Sequence, residues 1–192
     1  MTSGRLVSQT ATLARLGFAD PPRAVQLLAD PALTGLIDPL DDLFSDGLPD
    51  ALGAVADPDL ALLSLVRLME SLRASDPRRR DLESGAAAQV SGLVAALRHP
   101  GPARDRLLAV LGASTALGDH LVAHPEHWGS VADARPRTPD ERIHELVEAV
   151  RAPEGHTAYD ALRIGYRRQL LGIAALDLTS GDPELALPEA AA

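Results

Sequence analysis

The segment Asp57–Leu72, with the sequence DPDLALLSLVRLMESL, decides the fold class. Its first two residues suit a helix start. An aspartate carboxylate accepts hydrogen bonds from the free amides of the first turn, and proline needs no amide at the next position. Apolar residues then recur with helical spacing at Leu62, Val66, Met69 and Leu72. The segment therefore predicts an amphipathic helix.

The same signals recur along the chain. Asp-Pro pairs begin at Asp20, Asp30, Asp38, Asp57, Asp76 and Asp182, and capping boxes occupy residues 138–141 (TPDE) and 157–160 (TAYD). Further stripes of helical period are Val90, Leu93, Val94, Leu97; Leu107, Leu108, Leu111, Leu117, Leu121; Ile143, Leu146, Val147, Val150; and Leu162, Tyr166, Leu170, Ile173, Ala174. No alternation of period two is sustained. We therefore predict an all-α fold, an array of about eight or nine helices with no sheet.

Composition excludes several classes of protein. The 192 residues carry a net charge of −9 and no cysteine, and all 18 basic residues are arginine. Disulfides, thiolate metal sites and lysine-based catalysis are thereby excluded. An acidic chain with 3% aromatic residues does not suit nucleic-acid binding, and no apolar stretch approaches the ~20 residues of a membrane span. We expect a cytoplasmic protein that binds neither nucleic acid nor membrane.

The organisation along the chain is that of one helical unit. We expect a helical module over residues 1–181, within which the pattern allows subdomains of about 1–75 and 76–181. Residues 182–192 lack a periodic face and are expected to form a tail or linker. Two stretches are predicted as loops, Ser75–Ser84 and Gly129–Pro139.

Charge is concentrated in one segment. Between Asp20 and Asp59 there are nine aspartates and one arginine, Arg23. Helix caps and solvated faces account for most such charges. The other interpretation is an acidic docking surface for a basic partner.

The residues from Asp119 to Trp128 contain the most suggestive polar cluster. His120 and His124 are four residues apart and can share one helix face, as in a metal site. Pro125 is expected to end the helix and to separate His127 from the other two. We therefore favour a structural role, with no metal site. Trp128, the only tryptophan, is expected to pack against the protein.

A second cluster is basic. Arg163, Arg167 and Arg168 lie on one predicted helix and roughly on one face of it. Such side chains bind phosphates or the carboxylates of another domain. Asp160 precedes Arg163 by three residues, so local pairing is the simpler interpretation.

Two blocks carry a resemblance to a known family. They are residues 106–126 (RLLAVLGASTALGDHLVAHPE) and 162–178 (LRIGYRRQLLGIAALDL), and residues 14–21 (ARLGFADP) match more loosely. Together they resemble the N-terminal region of the bifunctional glutamine synthetase adenylyltransferase/adenylyl-removing enzymes, especially the actinobacterial ones.

The resemblance implies a parent enzyme that transfers AMP from ATP to a tyrosine of glutamine synthetase and removes it by phosphorolysis. Each of its two nucleotidyltransferase domains uses a Gly-Ser pair followed about ten residues later by Asp-x-Asp, which holds Mg²⁺. Here the only Gly-Ser pair, Gly129-Ser130, is followed ten residues on by Asp140-Glu141-Arg142. The only Asp-x-Asp, Asp57-Pro58-Asp59, precedes that pair. No catalytic, cofactor-binding or metal-binding residue is therefore carried over.

From the resemblance we expect a non-catalytic helical portion of that enzyme, continued by a catalytic domain beyond residue 192. Mg²⁺ and ATP are expected only in the full-length parent. The expected partners are that catalytic domain, glutamine synthetase and a nitrogen-signalling regulatory protein. The candidate contact residues are His120, His124, Trp128, Arg163, Arg167 and Arg168. The alternative function is a free-standing helical interaction module that uses the acidic surface.

Overall fold

Ten α-helices make up most of the part of the chain that the structure describes. The computed structural model describes residues 2–37, 47–74, 83–151 and 157–180. The helices are α1 (Thr2–Arg15), α2 (Pro21–Leu28), α3 (Leu48–Gly53), α4 (Pro58–Ala74), α5 (Glu83–Arg98), α6 (Pro102–Ala113), α7 (Thr115–Ala123), α8 (Trp128–Ala132), α9 (Pro139–Arg151) and α10 (Ala158–Thr179). Short 3₁₀ turns lie at Pro31–Leu33 and Pro125–His127. The predicted all-α fold class is confirmed.

The differences from the expected helices are local. Two of the ten are short, since α3 has six residues and α8 has five. The predicted loop Gly129–Pro139 begins inside α8, because the helical turn started at Pro125 continues to Ala132. The other predicted loop, Ser75–Ser84, ends inside α5, and residues 75–82 lie outside the described residues. Within those residues the only β-type pairing is an isolated bridge between Thr34 and Ile37.

The Asp-Pro helix starts are confirmed wherever the structure describes them. The carboxylate of Asp20 accepts the amide of Arg23 at 3.1 Å, and that of Asp57 accepts the amide of Leu60 at 2.9 Å. Asp30 caps the first 3₁₀ turn. The pairs that begin at Asp38, Asp76 and Asp182 lie outside the described residues.

The capping box of α9 forms with both of its bonds, and that of α10 forms with the bond to its threonine. The amide of Glu141 donates to Thr138 Oγ1 at 3.2 Å, and the amide of Thr138 donates to Glu141 Oε2 at 2.8 Å. The amide of Asp160 donates to Thr157 Oγ1 at 3.1 Å. These bonds satisfy amides that the first turn of a helix leaves without partners, and they fix where α9 and α10 begin.

Helix α4 is the centre of the core. It packs against α6 and α7 on one side and against α2 and the 3₁₀ turn Pro31–Leu33 on another. Its predicted stripe is buried throughout, and the core around it is mostly leucine. A Cβ atom at Gly118 of α7 would lie 3.2 Å from Ser64 Oγ of α4, so glycine lets these helices approach closely. The salt bridge Arg67–Asp119, at 2.6 Å, crosses the same contact.

The last two helices form a hairpin on the outside of this core. Helix α10 packs against α6 and α8, and α9 packs against α10. Helix α9 has no buried residue. In α10 the buried residues are Ala161, Gly165, Leu171 and Ala175.

The stripes of α9 and α10 lie on helices as predicted, but much of each stripe is on the surface. A Cβ atom at Gly165 would lie 3.3 Å from Leu146 Cδ2 and 3.4 Å from Ala149 Cβ. The small residues of α10 face its neighbours and allow close helix contact, which turns Leu162 and Tyr166 towards the surface.

Among the described residues, no helix combines the length and the apolar character needed to cross a membrane. The division into subdomains 1–75 and 76–181 stays a prediction, and residues 181–192 lie outside the described part of the chain.

Candidate functional site

Three imidazole rings meet where α7 ends. His120 lies in the last turn of α7, and His124 follows the helix. The 3₁₀ turn Pro125–His127 then places His127 Nδ1 3.1 Å from His120 Nε2. The ring of His124 lies 4.8 Å from that of His120 and 5.4 Å from that of His127, centre to centre. Pro125 does end the helix, but the expectation that it separates His127 from the other two is wrong.

Burial sets the electrostatics of this histidine cluster (His120, His124, His127). Burial is the main cause that lowers the pKa of His120 from 6.5 to about 4. The nearby positive charges of His124, His127 and Arg167 lower it further. The negative charge of Glu126 has the opposite effect. The pKa of His127 is also lowered to about 4, by burial first and then by His124 and Arg168. Both rings are therefore neutral at pH 7, and one donates a hydrogen bond to the other.

The hydrogen bond between His120 and His127 occupies ring nitrogens that a metal ion would need as ligands. Within the described residues, no group of three or more His, Cys, Asp or Glu side chains is arranged to hold a metal ion. His120 Nε2 and His127 Nδ1 face each other, so the lone pair between them is engaged in their hydrogen bond. Glu126 Oε1 lies 3.5 Å from His124 Nδ1 and 3.8 Å from His127 Nε2. The geometry is that of a polar network that closes the end of α7.

The three arginines of α10 do not share one environment. Arg163 pairs with Asp160 at 3.2 Å, as the simpler interpretation predicted. Arg167 is near enough to His120 to lower its pKa, and Arg168 does the same to His127. The structure therefore brings two of the candidate arginines beside the histidine cluster, which the sequence placed on a separate segment.

Trp128 lies at the start of α8 and packs on the core while remaining half-buried. A Cβ atom at Gly92 of α5 would lie 3.2 Å from Trp128 Cζ2, so the indole ring lies directly against the α5 backbone at this glycine. Its part in a contact with another domain stays a prediction, as does that of the histidines and arginines.

A second surface, on α9 and α10, was missed by the sequence reasoning. The exposed fractions of its side chains are 59% for Ile143, 39% for Val147, 74% for Tyr159, 42% for Leu162 and 54% for Tyr166. We call these five residues the apolar face. An open hollow of about 300 Å³ lies within it and is also lined by Leu146 and Val150. The sequence contains this surface as the two apolar stripes of α9 and α10. Helical period shows that such a stripe lies on one side of its helix, but not whether the rest of the chain covers that side.

A third feature, also missed, is a cavity of about 210 Å³ beneath the hairpin. Four arginines line it: Arg135 and Arg137 from the loop before α9, Arg142 from α9 and Arg168 from α10. Arg137 pairs with Glu145, which also lies 3.9 Å from Arg168. The side-chain Nε2 of Gln169 donates to the backbone carbonyl of Arg142 at 2.7 Å and holds α10 to α9 at this level. The arginines are scattered in sequence, so only the fold brings them together.

Comparisons with known proteins agree with the resemblance seen in the sequence. No family model matches the chain, and no solved structure matches it. Curated relatives from Streptomyces and Mycobacterium carry the name bifunctional glutamine synthetase adenylyltransferase/adenylyl-removing enzyme. The relative from Streptomyces avermitilis is 42% identical over 91% of this chain and 15% of its own length. The relative from Streptomyces coelicolor is 42% identical over 93% of the chain and 16% of its own length, and that from Mycobacterium avium is 39% identical over 88% and 15%.

Identity of 39–42% over about nine-tenths of the chain reaches well beyond the two quoted blocks. The chain nevertheless spans only about 15% of the length of the curated relatives it matches. The match therefore concerns one segment of those enzymes, and the described part of that segment is helical here. The chain is a homologue of one segment of the bifunctional glutamine synthetase adenylyltransferase/adenylyl-removing enzymes.

Proposed function

We propose that this chain acts as the non-catalytic, N-terminal helical part of an enzyme that adenylylates and de-adenylylates glutamine synthetase. The similarity to the Streptomyces enzymes supports the family assignment. The sequence supports the lack of catalysis, because the ordered Gly-Ser and Asp-x-Asp pair is missing. Phosphoryl-type transfer depends on carboxylates that fix metal ions against the phosphate, and capping aspartates on separate helices do not provide such a group.

The observation that carries the proposal is the exposed apolar face. Burying one large apolar side chain contributes about 1.5–3 kcal/mol, so five of them left in water indicate a surface that another element covers. Helix α9 has no buried residue, which leaves its outer side without a partner within the described residues. The relatives are more than six times as long as the matched segment, so their remaining polypeptide supplies the natural occupant.

We assign the occupant as the catalytic part of the same polypeptide. Arg163 and Arg167 follow Leu162 and Tyr166 by one residue and border the apolar face on the surface of α10. A contact with an apolar centre and a basic edge suits a partner surface with an apolar helix and carboxylates beside it. In this arrangement Mg²⁺ and ATP bind to the catalytic part. Glutamine synthetase and a nitrogen-signalling protein contact the assembled enzyme.

The alternative, a free-standing module that docks through its acidic segment, has less support. Asp20, Asp30 and Asp57 use their carboxylates to cap helices. Asp59 accepts the amide of Ala19 at 2.7 Å. These aspartates therefore stabilise the fold of the chain itself. The similarity to much longer enzymes also does not favour the free-standing interpretation.

A chimera tests the proposal. This chain would replace the matched segment of the Streptomyces avermitilis enzyme, and Ile143→Asp with Leu162→Asp would be made both in the chimera and in the isolated chain. Both side chains are exposed here, so the melting temperature of the isolated chain should change by less than about 2 °C. In the chimera the same changes should bury two carboxylates, lower the melting temperature by several degrees and reduce AMP release from adenylylated glutamine synthetase.

The matched control is Leu178→Asp, which alters a leucine of α10 that is 45% exposed and lies outside the apolar face. It should have little effect in either context. Equal melting temperatures and equal activity for the chimera with and without the double substitution would show that the apolar face is not covered.

A further inference from the structure

The arginine-lined cavity has an unusual concentration of positive charge for this protein. The whole chain has a net charge of −9, yet the cavity lining contains four arginines and, among its described residues, one carboxylate, Glu145. The formal charge of the lining is thus +3. Placing like charges together is unfavourable in the absence of counterions, so the arrangement favours an anion in the cavity.

The pairing of these arginines shows which of them are available. Arg135 pairs with Glu141 at 3.0 Å, and Arg137 pairs with Glu145. Arg168 lies 3.9 Å from Glu145, beyond hydrogen-bond distance. Arg142 makes no ion pair with any described residue. Arg142 of α9 and Arg168 of α10 therefore line the same cavity, and their positive charges are not fully neutralised by protein carboxylates.

The remaining lining fits an anion that has a carbon body. Ala134, Ile173 and Leu176 provide an apolar side to the cavity, and Ser130 adds a hydroxyl group. The volume of about 210 Å³ is far larger than the ~10–15 Å³ that one water molecule needs. Arginine presents a planar fork of donors that matches the two oxygens of a carboxylate or phosphate group.

We propose that the cavity between α9, α10 and residues 134–137 binds a small organic anion, whose carboxylate or phosphate group lies between Arg142 and Arg168 and whose carbon body lies on Ile173 and Leu176. Glu145 acts as the internal counterion of the empty cavity and competes with the ligand for Arg168. The proposal does not rest on the proposed function, because it concerns only residues of this chain and is measured on the isolated chain.

The test is titration of the 192-residue chain, followed by nuclear magnetic resonance or calorimetry at constant ionic strength. The probes are succinate for the carboxylate class and glycerol 3-phosphate for the phosphate class, with succinamide and glycerol as uncharged counterparts. At least one anion should bind with a millimolar or lower Kd, while its uncharged counterpart should not bind. The stronger of the two anions identifies the class of ligand.

Substitutions then locate the site. Arg142→Gln and Arg168→Gln should each weaken binding at least about tenfold, which is the effect of losing one charge-assisted hydrogen bond. Arg163→Gln removes the same charge from an exposed position of α10 and serves as the control. Glu145→Gln should tighten binding several-fold by releasing Arg168, whereas Glu148→Gln, at an exposed position of α9, should not.

Two results would overturn the proposal. One is the absence of saturable binding of either anion at concentrations up to about 10 mM. The other is binding that falls equally in Arg142→Gln, Arg168→Gln and Arg163→Gln, since that pattern reflects overall charge. Circular dichroism of each variant shows whether it is folded, and the two cavity arginines lie on different helices, so each tests the site independently.

Discussion

The hydrogen-bonded pair His120–His127 makes the stability of the chain depend on pH between about 6.5 and 4. One ring donates this hydrogen bond and the other accepts it across 3.1 Å, so the accepting nitrogen must be unprotonated. If both rings are protonated, the bond is lost and the two positive charges repel each other. Burial lowers the pKa of both rings from 6.5 to about 4. The unfolded chain therefore binds more protons than the folded chain in this window, and stability falls as the pH is lowered.

The magnitude follows from the two pKa values. A histidine with a pKa of about 4 when folded and 6.5 when unfolded lowers the free energy of unfolding by about 2 kcal/mol between pH 7 and pH 5. The full loss is about 3 kcal/mol once the pH is below 4. The two rings repel each other when charged, so their contributions are coupled and do not simply add. Against a typical total of 5–15 kcal/mol, this loss is large enough to measure.

Urea unfolding at pH 7, 6 and 5, followed by circular dichroism, measures the effect. The wild-type chain should lose about 2 kcal/mol or more from pH 7 to pH 5. The variant His120→Gln with His127→Gln should lose much less over the same range. His144→Gln, which removes an exposed imidazole from α9, is the matched control. A wild-type stability that stays constant from pH 7 to pH 5 would show that the two histidines do not have lowered pKa values in the folded chain.

Three further changes test the packing and the helix starts, each by the midpoint of urea unfolding at pH 7. Gly112→Ala would place a Cβ atom 2.6 Å from Val55 Cγ2 and 3.0 Å from the Asp57 carbonyl, and should cost about 1–3 kcal/mol. Leu65→Ala removes a fully buried side chain of α4 and should cost about 2–5 kcal/mol. Thr138→Ala removes the cap of α9 and should cost about 1 kcal/mol. Unchanged midpoints would contradict the packing or capping described for that site.

Much of the fold is predictable from the sequence because its signals are local. The caps of Asp20, Asp57 and Thr138 depend on side chains within three residues of the amides they bind. The stripe of α4 is buried because packing apolar side chains against neighbouring helices removes their surface from water, which is favourable. These features need no knowledge of the rest of the chain.

The parts that the sequence does not reveal depend on tertiary contacts. The period of the α10 stripe predicts a helix but not what surrounds it: Gly165 packs against α9, whereas Leu162 and Tyr166 are exposed. His127 returns to His120 through a turn whose path the sequence does not specify. The cavity gathers arginines that are up to 33 residues apart, from Arg135 to Arg168. Periodicity shows that a helix has a face, but not what covers that face.

Turnover measured side by side with the isolated chain and with the chimera tests most directly whether this helical segment is non-catalytic. The assay follows AMP release from adenylylated glutamine synthetase with phosphate and Mg²⁺, and AMP attachment with ATP and Mg²⁺. The chimera should be active in both directions, and the isolated 192-residue chain should show no turnover in either. Turnover that co-purifies with the isolated chain and is absent from a mock preparation would contradict the claim that this helical segment is non-catalytic.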